Sequence, residues 1–257
     1  MIENDYSRLI MNEGRRGIRI LRYTLFGLCL AFTVFSLFFF SVKAKVDGIM
    51  LSLATIILVC LPNLTERLFR RRMYTPFYVI AILYTICPLL GHSYKFYYII
   101  PFWDKILHTT GGVVFAIVGS YIPVILNRHE KSNNSSILMR ALFALCFSIA
   151  LSAVWEFFEF AADMWFGQDM QNDTYIYTIN SYNLGAKLGE IGSITNIESV
   201  VINGVPLEGY LDIGLIDTMC DMLVESFGAL VYSVWLMIDR DRHPILMPKD
   251  YTFSKSE

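Results

Sequence analysis

The sequence predicts an all-α polytopic membrane protein of about six transmembrane helices, with a small extracytoplasmic insert between the fifth and sixth. Three observations carry that class. Hydrophobic residues make up 55% of the 257 residues and charged residues only 17%, a balance that suits membrane spans and not a soluble domain. Several apolar stretches reach the roughly 17 to 25 residues that cross a hydrocarbon core as helix. Lys and Arg alternate in density from one inter-span segment to the next, as topology requires.

The elements follow in order. Residues 1–19 form a polar, Arg-bearing N-terminal tail. Residues 20–90 supply three transmembrane helices, at 20–42, 48–64 and 74–90. The first apolar run is long and no A-x-A site follows it, so it reads as an uncleaved targeting signal. The second and third are short and carry Pro62 and Pro88 near their ends. Residues 91–165 contain the aromatic run "YKFYYIIPFW" (94–103), a segment suited to the membrane interface, and two further spans at 103–126 and 137–165. Residues 166–212 are polar and rich in Asn, Gly and Asp, too long for a bare connector. Within them "SVVINGVPLEGYL" places Asn203–Gly204 between two apolar runs, the signal for a two-residue hairpin turn, and Pro206 confines its second strand to an edge. The sixth span is 213–237, and 238–257 is the C-terminal tail.

Orientation rests on the 21 Lys and Arg residues. With the N-terminus in the cytoplasm, the inner segments hold all of them except Lys43, Lys45, Lys95, Lys105 and Lys187. The expectation is therefore a multi-pass protein of the inner (cytoplasmic) membrane of a bacterium, both termini cytoplasmic. "RLFRRRM" (67–73) then reads as a topogenic loop facing lipid phosphates. A net charge of −2 gives no reason to expect a nucleic-acid partner. Five scattered cysteines without metal-type spacing read as small core residues.

The charges inside the spans are the functional signal. In span four "FWDKILHTTGG" puts Asp104 and His108 four apart, on one helix face. In span five "SAVWEFFEFAADMW" puts Glu156, Glu159 and Asp163 on a stripe roughly 60° wide. In span six "LIDTMCDMLVESFGAL" spaces Asp217, Asp221 and Glu225 by four. In the orientation above, all three groups occupy the outer third of the membrane. Intramembrane charges are rare and face a bundle interior or a hydrated cavity. Carboxylates gathered together repel one another, and one Lys105 cannot balance them, so a bound cation is the expected relief. Oxygen ligands with a single imidazole suit one or two divalent metals such as Mg²⁺, Mn²⁺, Zn²⁺ or Fe²⁺. The candidate metal ligands are Asp104, His108, Glu156, Glu159, Asp217 and Asp221, with Asp163 as the candidate general base. Each group also has a plainer reading. Asp104 suits a helix start, His108 a hydrogen-bonded core position, the glutamates a hydrated vestibule, and Asp163 and Asp217 solvated helix ends; Glu225, the deepest, suits a bond to a neighbouring helix. Gly111, Gly112 and Gly228 read as close-packing positions.

In the order "DKILH", "WEFFEF", "DTMCDMLVESFGAL", the chain resembles the YjdF-like inner-membrane proteins and, more distantly, the VanZ-like family. The resemblance covers residues 100–235 and implies a polytopic cell-envelope protein, with Asp104, His108, Glu156, Glu159, Asp217 and Asp221 at the matching positions. VanZ-like members are associated with lower sensitivity to lipoglycopeptide antibiotics. The long insert and Glu225, where Asn is usual, depart from that family. A fainter likeness to CDP-alcohol phosphotransferases fails for want of their D-G-x-x-A-R portion.

Three functions compete. One is a metal-dependent hydrolase or transferase acting on a membrane lipid or lipid-linked envelope molecule, with water as attacker because no nucleophile motif is present. The second is a cation or headgroup binding or transport protein. The third is a structural membrane protein with a hydrated polar core.

Overall fold

The structure, a computed structural model, describes residues 16–127, 135–240, 242–243 and 245–248. The expectations for the N-terminal tail up to residue 15, the 128–134 loop and the C-terminal tail from 249 lie outside the described residues. Among the described residues six helices are long and apolar enough to cross a membrane: α1 (Arg16–Val42), α2 (Val46–Leu68), α3 (Thr75–His92), α5 (Trp103–Leu126), α6 (Ile137–Phe166) and α7 (Leu215–Asp239). A one-turn helix α4 (Phe96–Ile99) lies within the aromatic run between α3 and α5.

The chain divides into two compact units, Met1–Ser152 with Leu223–Glu257, and Ala153–Met222. In the first, α1, α2 and α3 pack on one another and α3 packs on α5. One core cluster joins Cys29, Val59, Tyr78, Ile82 and Tyr121; another joins Ala116, Ile117, Ala144, Ala229, Tyr232 and Leu236. The small residues of the second let helix backbones approach closely, which is how helices pack when lipid removes the hydrophobic drive between them. Hydroxyls in the spans close on their own helices, Thr33 Oγ1 to the Cys29 carbonyl and Ser36 Oγ to the Phe32 carbonyl, both at 2.8 Å. Phe35, Phe38 and Ile57 are exposed, the side chains a lipid-facing surface would present.

At one end of this unit β1 (Arg71–Met73) pairs antiparallel with β8 (Leu246–Pro248). Arg22 is only 5% exposed, and its guanidinium is held on several sides. It donates to the Met73 carbonyl and to Glu66, and stacks 3.9 Å from the centre of the Tyr78 ring. Glu66 lies in the last turn of α2, which runs beyond the expected 48–64 in both directions and so takes in Asp47 and Glu66 at its ends. Pro62 sits inside the helix instead of ending it; lost backbone bonds at an intramembrane Pro can be compensated locally.

The second unit holds the end of α6, the insert and the start of α7. β2 (Tyr175–Ile176) pairs with β7 (Tyr210–Leu211), β3 (Thr178–Ser181) with β4 (Gly192–Thr195), and β5 (Val200–Ile202) with β6 (Val205–Leu207). The last pair is the expected hairpin. Asn203 and Gly204, with φ of 51° and 85°, supply the two left-handed residues of a type I′ turn. Pro206 faces Val201 in a two-stranded sheet, where an edge position needs no further donor. The sixth helix starts at Leu215, two residues later than the apolar run. Ile213 and Gly214 are both left-handed, with φ of 53° and 88°, and end the extended chain before the helix begins.

Candidate functional site

In the first unit the site begins at the N-terminus of α5. Phe102 is left-handed (φ 60°) and turns the chain into the helix, so that Asp104 falls in its first turn, where the helix dipole favours a carboxylate. Lys105 Nζ lies 2.9 Å from Asp104 Oδ2. One turn further, His108 is 6% exposed. Its Nε2 lies 3.5 Å from Asp104 Oδ1, and its Nδ1 lies 3.5 Å from Oε2 of Glu225 on α7. The imidazole is thus flanked by a carboxylate on each ring nitrogen.

Backbone contact fixes this arrangement. A Cβ on Gly112 would collide with the Glu225 carbonyl, and one on Gly228 would collide with the Thr109 carbonyl. Both glycines are needed for α5 and α7 to touch at this level, one residue beyond His108 and at Glu225 itself. Ser148 Oγ of α6 donates to the Gly112 carbonyl at 3.1 Å. A Cβ on Gly111 would strike the Tyr84 hydroxyl. The expectation that these glycines are close-packing positions holds for all three.

In the second unit, Glu156 and Glu159 on α6 are each 4% exposed, and Asp221 on α7 is 1% exposed. Trp155 Nε1 donates to Glu159 Oε1 at 2.8 Å, and the Trp155 ring packs 5.3 Å from that of Phe158. Phe157 and Phe160, on the opposite face, are exposed. The two outermost carboxylates do different work. Asp163 accepts the backbone N–H of Met170 at 2.7 Å and that of Gln171 at 2.9 Å, one on each oxygen. Asp217 Oδ2 accepts from the Asn172 backbone and side chain at 3.0 and 3.1 Å. Both pin the start of the insert to a helix end, and each Asp163 oxygen keeps a second lone pair beside the bond it accepts.

Of the residues singled out from sequence, Asp104 and His108 are in contact, Glu156, Glu159 and Asp221 are buried carboxylates on apolar helices, and Asp163 and Asp217 anchor the loop. Glu225 meets His108 directly, the bond to a neighbouring helix that its depth suggested. One residue carries more than the sequence assigned it. Trp155 orients Glu159, through the i, i+4 spacing that brings helical side chains together.

A family model described as "Predicted membrane protein (DUF2238)" matches residues 22–242. No curated protein and no solved structure matches the chain.

Proposed function

Because this chain belongs to the DUF2238 family of predicted membrane proteins, we propose that it is an integral membrane protein that binds a divalent cation through its intramembrane carboxylates and His108. The observation that carries this reading is the setting of His108. A neutral imidazole has one N–H and one lone pair. With a carboxylate at each nitrogen, one ring nitrogen donates to an acid while the other turns its lone pair toward one. A cation held there by His108 and Asp104 would relieve that repulsion. Asp104, half-buried, and His108, buried, are the proposed ligands in the first unit. Glu156, Glu159, Asp217 and Asp221 are the further ligands that the sequence offers for one or two metals, and hard oxygen donors with one nitrogen fit Zn²⁺, Mg²⁺ or Mn²⁺.

The resemblance of "DKILH", "WEFFEF" and "DTMCDMLVESFGAL" to the YjdF-like and VanZ-like proteins supports an envelope setting, with a membrane lipid or lipid-linked envelope molecule as substrate. A bound cation there supplies a lowered pKa for a coordinated water and charge stabilisation on a phosphoryl or acyl oxygen. Asp163, at the membrane end of α6, is the proposed general base of such a hydrolase or transferase.

Metal analysis of the full-length protein, purified in detergent without chelators, tests the reading. We expect on the order of one to two divalent ions per chain, lost in His108→Ala while the helical circular dichroism persists. A folded wild type that holds no divalent metal after incubation with Zn²⁺, Mg²⁺ and Mn²⁺ overturns it.

A further inference from the structure

We infer that Glu225 is the positioning residue of this site: its carboxylate accepts a hydrogen bond from the Nδ1–H of His108 and so presents Nε2 to the cation. The inference rests on the metal reading above and adds to it a residue outside the ligand set. Glu225 is 2% exposed on an apolar helix. Its Oε1 has no hydrogen-bond partner among the described residues, while Oε2 lies 3.5 Å from His108 Nδ1. Burying a carboxylate with half of its acceptor capacity unused is costly, and a specific partner must compensate it. Among the described residues that partner is His108.

The geometry suits orientation better than ligation. Glu225 addresses Nδ1, and Asp104, the proposed ligand, lies beside Nε2 on the other edge of the ring. A metal-ligating histidine ordinarily donates its second N–H to a carboxylate, which fixes the tautomer and raises the basicity of the ligating nitrogen. The carboxylate is also rigidly placed. Its own backbone carbonyl abuts Gly112, and Gly228 abuts the Thr109 carbonyl, so the two helices hold acid and imidazole at one level by main-chain contact. A supporting group fixed by packing is what a preorganised site requires.

Co²⁺ binding to the full-length protein in nanodiscs, followed by competition with a chromophoric chelator and by the visible spectrum of the bound ion, tests the inference. The set is wild type, His108→Ala, Glu225→Gln and Glu225→Met. We expect Glu225→Met to weaken Co²⁺ binding about 10- to 100-fold and to alter the spectrum. Glu225→Gln keeps an acceptor for Nδ1–H but loses the charge, so its loss lies between wild type and Met. A role in packing alone predicts wild-type affinity in Met, which fills the same space. Wild-type affinity and spectrum in a folded Met variant, with binding still lost in His108→Ala, overturn the inference and leave the metal reading standing. Should the Met variant not fold, Gln decides: a loss of about threefold or more supports the positioning role, and none overturns it. A wild type that binds no Co²⁺ removes the metal reading and this inference together.

Discussion

Gly112 and Gly228 show how single atoms govern this site. Neither position has room for a methyl group, because each faces a carbonyl of the other helix. A main-chain oxygen cannot swing aside as a side chain can, so a Cβ must push α5 and α7 apart. Overpacking of this kind costs about 1–3 kcal/mol. Here it also separates His108 from Glu225, whose contact is already long at 3.5 Å. Gly112→Ala should therefore lower the thermal midpoint and weaken metal binding together. Gly27, with nothing within 4 Å of an added Cβ, is the control: Gly27→Ala should leave both unchanged. Thermal unfolding and metal titration of the two variants check this, and wild-type metal affinity in Gly112→Ala refutes the coupling.

Among the elements, the insert depends on carboxylates that collect backbone N–H groups. Asp212 accepts from Thr174 at 2.7 Å, joining the β2–β7 ladder to the chain, and from Ile216 at 2.8 Å, in the first turn of α7. Removal from water works to raise its pKa, but the N–H groups of Thr174, Ile216 and Gly214 outweigh this and hold it below the usual carboxylate value. Asp173 moves the other way, raised by desolvation and then by the negative charges of Asp169, Asp212 and Asp163. The two signs oppose each other. A depressed pKa contributes stability that is present above the unfolded value of about 4 and lost as pH falls through the folded one. A raised pKa penalises the folded insert at neutral pH, and the penalty is relieved as pH falls through the raised value. Hydrogen exchange of the insert amides, corrected for the intrinsic pH dependence, should show protection rising slightly on mild acidification and declining below about pH 4. Asp173→Asn should remove the rise, and Asp212→Asn should lower protection at neutral pH and flatten the acid-side loss; unchanged profiles in both would count against these assignments. The same residues mark where sequence reading stops. Asn203–Gly204 announces its hairpin locally, and spacings of three and four announce the acidic stripes. The two-residue strands β2 and β7 have no periodicity to detect, and their pairing joins residues 175–176 to 210–211. Which carboxylates of the stripes turn to the loop is equally hidden, because Asp163 and Asp217 are claimed by backbone groups whose positions depend on the path of the insert.

At the scale of the whole molecule, the division of labour between apolar and basic residues gives the strongest claim and the easiest to test. Among the described residues six helices are long and apolar enough to cross a membrane, and the expectation that all six do so puts the flanks of the first and the last on one side. On that expectation an odd number of spans, α3, α5 and α6, separates the Arg-rich segment 67–73 from the insert, and reagents are predicted to reach the two from opposite sides. Arg22, Glu66 and the β1–β8 pair belong to the basic side, and Arg71 donates there to the Leu246 carbonyl at 3.2 Å. The positive-inside bias predicts that the basic side is cytoplasmic and the insert exterior. Leu188 projects fully into solvent from the insert, and Arg70 is exposed in the basic segment. In a background with the five native cysteines replaced by alanine, Leu188→Cys should react with a membrane-impermeant maleimide in intact spheroplasts. Arg70→Cys should react only after permeabilisation. The reverse pattern would invert the molecule, placing the carboxylates toward the cytoplasmic leaflet and excluding an envelope substrate on the outer surface. Labelling of both cysteines in intact spheroplasts would break the count of spans between them.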